Sequence, residues 1–99
     1  MYNLETELNL IAFDMTQIFK QVINQKGLIE SGNMYNSIKW TVIKEGEAKF
    51  KFKMEAVDYF IYVDEKYGIS ETVYQSVEWA NINKRISDAY SLWITDNLI

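Results

Sequence analysis

The chain has 99 residues, of which 48% are hydrophobic and 15% aromatic, so it can form the core of a single domain spanning residues 1–99. It contains no cysteine and no histidine, which excludes disulfides, thiolate catalysis, histidine-dependent triads and zinc fingers. The net charge of −4 argues against a protein whose main task is to grip nucleic-acid phosphates, since that task needs clustered lysine and arginine.

The sequence gives no indication of a membrane or secretory segment. The longest convincing apolar run extends from Tyr59 to Val63, well short of the roughly 18 residues that a membrane-spanning helix needs. The first basic residue is Lys20, and Glu5 and Glu7 precede it, which is the wrong charge order for a secretory signal. We therefore expect no membrane association and a protein that acts where it is made.

Two long helices are predicted from the spacing of apolar residues. Near the N-terminus they recur at alternating steps of four and three, at Leu4, Leu8, Ile11, Met15, Ile18 and Val22. This helix should span about Asn3 to Lys26, with Asn3 as its cap and Gly27 at its end. The same spacing predicts a C-terminal helix through Trp79, Ile82, Ile86, Ala89 and Trp93. Its start remains open between three alternative caps, Ser70, Thr72 and Ser76.

Alternating apolar and polar residues predict a β-hairpin between the two helices. One strand lies around Ile38 to Val42 and the other around Phe50 to Met54, joined by a loop at residues 45–47. The aromatic and β-branched run from Tyr59 to Val63 predicts a third strand, and residues 64–68 are the expected loop leaving it. The predicted fold class is α+β, with an antiparallel sheet of hairpin and aromatic strand packed against long N-terminal and C-terminal helices.

Without histidine or cysteine, carboxylates are the main candidates for catalysis. Asp58 and Asp64 would lie about 20 Å apart on an extended strand, too far for a glycosidase-type pair. Asp64 and Glu65 lack the alternating oxygen ligands of a calcium loop, and the four glycines never group into a phosphate-binding loop. We expect no enzymatic activity, no metal and no cofactor, with a carboxylate-dependent hydrolase as one remaining alternative.

Lysines and aromatic residues are the more informative features. Lys49, Lys51 and Lys53 alternate with apolar residues and form a basic stripe, which is typical either of a solvated face that discourages edge pairing or of a binding surface. The aromatic residues exceed what a core of this size easily hides, and tyrosine and tryptophan are enriched at interfaces. We hypothesise that the hairpin of one subunit docks near the loop at Asp64 of the next. The interface candidates are Lys49, Lys51, Lys53, Asp64, Glu65, Tyr67 and Tyr74.

Two short segments carry a resemblance to a known family. Residues 28–38 read LIESGNMYNSI, which resembles the S/T-G-x-L-x-x-S-I turn of the head–tail joining, or tail-completion, proteins of tailed bacteriophages. Residues 59–68 read YFIYVDEKYG, which is similar to the Y-A-x-Y-V-E-x-G strand of that family. The predicted order of elements from Leu4 to Gly68 also matches. Beyond Gly68 many members carry a proline-rich turn, whereas this chain contains no proline.

The resemblance implies a structural protein of the virion neck. Such subunits form rings of six or twelve copies between the portal-side connector and the tail, and DNA passes through without specific binding. The expected location is the head–tail interface, after assembly in the bacterial host cytoplasm. Ser31 and Gly32 would form a structural turn, with Gly32 at positive φ. The alternative function is a small acidic phage-encoded inhibitor or adaptor that acts by protein–protein binding.

Overall fold

Two helices of 22 residues each and a β-hairpin make up most of the fold. The computed structural model describes residues 2–29 and 32–98. The two strands pair antiparallel, with Thr41 opposite Lys53 and Ile43 opposite Lys51. The fold is therefore α+β, as predicted. In chain order the elements are α1 (Leu4–Gln25), α2 (Asn33–Ser37), β1 (Lys39–Lys44), β2 (Phe50–Glu55), α3 (Phe60–Tyr67), α4 (Ile69–Tyr74) and α5 (Val77–Leu98).

Helix α1 begins and ends within one residue of its predicted limits, because both ends are fixed by local hydrogen bonds. At the start, the Asn3 side chain accepts a hydrogen bond from the backbone N–H of Thr6 at 3.0 Å. At the end, Gly27 takes φ 70° and the N–H of Leu28 donates to the carbonyl of Ile23 at 3.1 Å. This pair of features is a Schellman motif, which stops the helix at the glycine.

The core consists of two hydrophobic clusters that follow one another along α1, in a molecule measuring 51 × 24 × 17 Å. The C-terminal half of α1 contributes Phe19 and Ile23 to the first cluster, and the N-terminal half contributes Leu8 and Ile11 to the second. The ring of Phe19 is fully buried, with neighbouring ring centroids at 5.8 to 6.5 Å. The residues that pack against both clusters are Ile18, Trp40 and Trp79.

The hydroxyl of Thr16 joins α1 to the hairpin. Its Oγ1 donates a hydrogen bond to the carbonyl of Ala12 at 3.0 Å and accepts one from the backbone N–H of Trp40 at 2.8 Å. Thr16 is the only buried polar residue among residues 2–29 and 32–98. The bond therefore fixes the distance between α1 and β1 from inside the protein.

The predicted third strand is wrong, because Tyr59 to Val63 leads into and forms part of helix α3. The helix continues through the expected loop and ends at Gly68, which takes φ 67°. Burial explains the difference, since Phe60 and Val63 are three residues apart and both pack into the Phe19 cluster. A strand would have buried Phe60 together with Tyr62, but Tyr62 is 74% exposed.

Helix α4 follows directly and was not predicted. Its buried residues, Ile69 and Val73, lie four apart and face the Phe19 cluster. Ser70 and Thr72 lie inside this helix, so neither caps α5. The cap is Ser76, whose hydroxyl accepts a hydrogen bond from the N–H of Trp79 at 3.1 Å.

The predicted turn at Ser31 and Gly32 is partly described, because Ser31 lies outside the described residues. Gly32 precedes α2 and takes φ 82°, which confirms the predicted positive φ. Gly32→Ala should lower the free energy of unfolding by about 1 kcal/mol or more, since alanine is strained at this φ. The added Cβ would also lie 3.3 Å from the side-chain amide of Asn36.

Urea denaturation checks this prediction, with Gly46→Ala as the matched control. Gly46 has no positive φ, and an added Cβ there would meet only the Cβ of Lys49 at 3.6 Å. The control should therefore change stability little. If both variants lost the same free energy of unfolding, the positive φ of Gly32 would not be the cause of the loss.

Candidate subunit interface

The hairpin presents one half-buried face and one exposed face. The inner side chains pack against α1 and α5, and include Trp40, Val42 and Phe52. The opposite side chains form a mostly exposed surface, with Lys49 continuing the alternation just before β2. We call this surface the outer hairpin face, and it consists of Lys39, Thr41, Ile43, Lys49, Lys51, Lys53 and Glu55.

The three predicted lysines lie together on this face, as the alternation indicated. Lys51 and Lys53 stand opposite Ile43 and Thr41 of β1. Lys53 approaches Glu55 at 3.8 Å, but both side chains are more than half exposed, so this ion pair contributes little to stability. The lysine ammonium groups therefore remain available to another molecule.

Asp64 has a structural task within the subunit. Its Oδ1 accepts a hydrogen bond from the backbone N–H of Ser70, and its Oδ2 accepts one from the Ser70 hydroxyl, both at 2.6 Å. These bonds tie α3 to α4 across Gly68. Glu65 is exposed, so the structure separates the two predicted acids, and only Glu65 is free to face a partner.

The two predicted tyrosines also differ. Tyr74 packs its ring against Phe19 and Trp79, with centroid distances of 5.9 and 5.0 Å, so much of its contact lies within the subunit. Tyr67 lines a cavity of about 300 Å³ beside Tyr59 and Val63, and the Nζ of Lys66 lies 5.3 Å from the Tyr67 ring centroid. Both side chains are partly exposed, 44% for Tyr67 and 51% for Tyr74, and they lie on different helices, α3 and α4.

Residues that sequence reasoning missed lie on the outside of α3. Ile61 and Tyr62 are 70% and 74% exposed, although both are large and hydrophobic. Glu65 is exposed one helical turn after Ile61 and Tyr62, and Asp58 is exposed in the turn that precedes the helix. The spacing of three and four residues places Ile61, Tyr62 and Glu65 on one stripe of α3. We call this surface the α3 ridge, and it consists of Asp58, Ile61, Tyr62 and Glu65. The helical spacing of these residues is present in the sequence, but the prediction of a strand at residues 59–63 placed them on different faces.

Charge is divided unevenly along the chain. Residues 39–55 carry five lysines and three acidic residues, whereas residues 56–99 carry three basic and seven acidic residues. Arg85 is engaged within the fold, with its guanidinium 2.6 Å from the carboxylate of Asp14 and 3.8 Å from that of Glu7. A basic hairpin and an acidic C-terminal half therefore coexist in one subunit.

Two kinds of site are absent from the part of the chain that the structure describes. No three acidic side chains there come close enough to hold a metal ion. None of the helices in residues 2–29 and 32–98 combines the length and the apolar character needed to cross a membrane.

The phenol of Tyr74 gives a pH-dependent test of the packing beside the candidate interface. Burial raises the pKa of Tyr74 above the ordinary 10.0, a hydrogen bond with Ser70 lowers it, and the charge of Asp64 raises it. Because folding raises this pKa, the protonated phenol of Tyr74 contributes to the stability of the folded state. This contribution is complete below pH 10 and is lost as the pH rises through the folded-state pKa.

Tyr74→Phe removes the ionisable group, so the free energy of unfolding should fall less steeply above pH 10 than in the parent. Urea unfolding at a series of pH values measures this. The control is Tyr62→Phe, which removes a phenol from a side chain that is 74% exposed. The same pH dependence in both variants would contradict the assigned environment of Tyr74.

Comparison of the sequence with protein-family models and with curated proteins, and of the fold with solved structures, gives no match. The functional argument therefore depends on the surfaces of the molecule itself and on the two short motifs.

Proposed function

We propose that the chain is a structural subunit of the neck of a tailed bacteriophage. In this proposal it forms a ring of six or twelve copies between the portal-side connector and the tail. It assembles in the cytoplasm of the bacterial host and resides at the head–tail interface of the virion. DNA passes through the ring without specific binding, and the subunit catalyses no reaction.

The observation that carries the proposal is the presence of two exposed, oppositely charged surfaces on one subunit. The outer hairpin face bears lysines, and the α3 ridge bears Asp58 and Glu65 beside two exposed apolar side chains. Different surfaces that fit each other produce head-to-tail contacts, and such contacts close into rings when the rotation between copies permits. Complementary charges also favour the correct orientation of copies during assembly.

The overall charge and the motifs give further support. A net charge of −4 disfavours tight contact with DNA, which suits a ring that DNA must pass through. Gly32 has the backbone conformation expected of the Ser-Gly turn, and the long helix and hairpin follow the order that the resemblance implies. The segment that the resemblance implies to be an aromatic strand is helix α3 instead.

The test is the protein composition and neck structure of purified virions. We expect the chain in the particles at six or twelve copies, and electron microscopy should place it between portal and tail. A ring can require its neighbour as a template, so a monomer in isolation leaves this expectation intact. A chain that is monomeric and also absent from virions would overturn the proposal. Its recovery from infected cells in complex with a host enzyme would support the inhibitor or adaptor function.

A further inference from the structure

The α3 ridge carries carboxylates and the outer hairpin face carries lysines, and both surfaces include exposed apolar side chains. We propose that the α3 ridge of one copy docks on the outer hairpin face of a second copy of this chain. This inference rests on the proposed ring and names the two surfaces that join its subunits. It differs from the contact expected from the sequence, in which the hairpin lysines met the loop at Asp64 and Glu65, with Tyr67 and Tyr74 as aromatic anchors.

The apolar part of the contact comes from the centre of each surface. Ile61 and Tyr62 project from the middle of the ridge with only a quarter to a third of their surface covered. Ile43 lies among the lysines of the outer hairpin face and is 40% exposed. Covering these three side chains removes apolar surface from water, which is the main driving force for association. Tyrosine is also among the residues that most often dominate binding energy at interfaces.

The charged part of the contact comes from the ends of each surface. Glu65 lies on α3, and Asp58 lies at the other end of the ridge, in the turn that precedes the helix. Lys49, Lys51 and Lys53 follow one another along the outer hairpin face, about 7 Å apart. Long, flexible lysine side chains can therefore meet carboxylates at more than one point of the ridge. Such rim charges fix the orientation of the contact more than its strength.

The second copy is the occupant that the charges favour. The outer hairpin face carries four lysines and one glutamate, and the ridge carries two carboxylates. Lys66, also exposed on α3, places its ammonium 5.3 Å from the centroid of the Tyr67 ring. Two hairpin faces would repel each other, as would two ridges, so symmetric pairing of either surface is disfavoured. The contact must therefore join different surfaces of successive copies, which leaves one free ridge and one free hairpin face at the ends of any open assembly.

Asp64 is unsuited to this contact because its carboxylate already has partners within the subunit, whereas Tyr74 belongs to α4 and is not part of the α3 ridge. Both oxygens of Asp64 accept hydrogen bonds from Ser70, and the ring of Tyr74 lies against Phe19 and Trp79. Glu65 is the one predicted acid that the ridge retains.

Disulfide crosslinking tests the contact directly, since the full chain contains no cysteine. Ile43→Cys and Tyr62→Cys variants are mixed and oxidised, and intact mass spectrometry measures the heterodimer. The control mixes Ile43→Cys with Leu92→Cys, which places the thiol at an exposed apolar position of α5. We expect the first pair to form heterodimer at least about tenfold faster, because docking raises the effective concentration of the two thiols.

Charge exchange provides a second measurement of the same contact. Lys51→Glu in the Ile43→Cys chain should slow heterodimer formation at low salt, and Glu65→Lys in the Tyr62→Cys chain should restore it. Lys84→Glu, at an exposed position of α5, should have little effect.

Heterodimer formation no faster than the control would overturn the inference, and so would preferred disulfides between two Tyr62→Cys chains. These results differ from a failure of the proposed function. A ring seen in virions without the preferred crosslink would reject only the two surfaces named here. A preferred crosslink in a chain absent from virions would support the contact and reject the role in the neck.

Discussion

Phe19→Ala should lower the free energy of unfolding by about 3–5 kcal/mol, the usual cost of removing a buried phenylalanine ring. Phe19 is fully buried, and four aromatic rings lie within 6.5 Å of its own. These rings come from β1, α3, α4 and α5, so the cavity left by alanine would touch four elements. A domain of this size is stable by only about 5–15 kcal/mol, so the variant should unfold at much lower urea concentration.

The matched control is Phe13→Ala, which makes the same chemical change in the same helix. Phe13 is 62% exposed, so its loss should alter stability by no more than about 0.5 kcal/mol. Urea unfolding followed by tryptophan fluorescence measures both variants, since Trp40 and Trp79 lie next to Phe19. Similar losses for Phe13 and Phe19 would mean that the aromatic cluster is not the centre of the core.

Thr16→Val should lower the free energy of unfolding by about 1–3 kcal/mol, because it leaves a partly buried hydrogen-bond donor without its acceptor. Valine has nearly the same shape as threonine, so packing is preserved. The backbone N–H of Trp40 loses the oxygen to which it donates at 2.8 Å. Because this N–H points away from β2, the strand ladder cannot replace the missing acceptor.

Thr95→Val is the control for this substitution. The Thr95 hydroxyl also donates to the carbonyl four residues earlier in a helix, at 2.9 Å, but the residue is exposed. The two variants therefore share the change in helix propensity and the lost intrahelical bond, and differ in the bond to the strand. Chemical denaturation gives the difference between them, and a difference near zero would show that the Thr16–Trp40 bond contributes no net stability.

Helix α1 and the hairpin were predictable because their signals are local. The apolar spacing, the Asn3 cap and the Gly27 stop all lie within the helix or next to it. The alternation in β1 and β2 likewise placed their side chains on the correct faces. Helix α3 was not predictable in this way, because aromatic and β-branched residues favour strands and only packing against Phe19 selects the helix.

Local sequence signals also explain why only some residues of the two candidate surfaces could be placed from the sequence. The lysines of the outer hairpin face follow from alternation alone. The α3 ridge depends on α3 being a helix, so Ile61 and Tyr62 could not be placed on one exposed surface with Glu65. Asp64 looked available because its partner, Ser70, belongs to helix α4, which the sequence had not revealed.

Helix α1 passes through both hydrophobic clusters, and Ile18, Trp40 and Trp79 contact both of them. The backbone amides in the middle of α1 can therefore exchange with deuterium only when both ends of the molecule open together. Helix α3 contributes only one buried side chain, Phe60, so we expect it to open at a lower free energy than α1. Amide exchange should thus be slower near Met15 and Thr16 than in α3, so the ridge lies on an element that is less protected than the centre of α1.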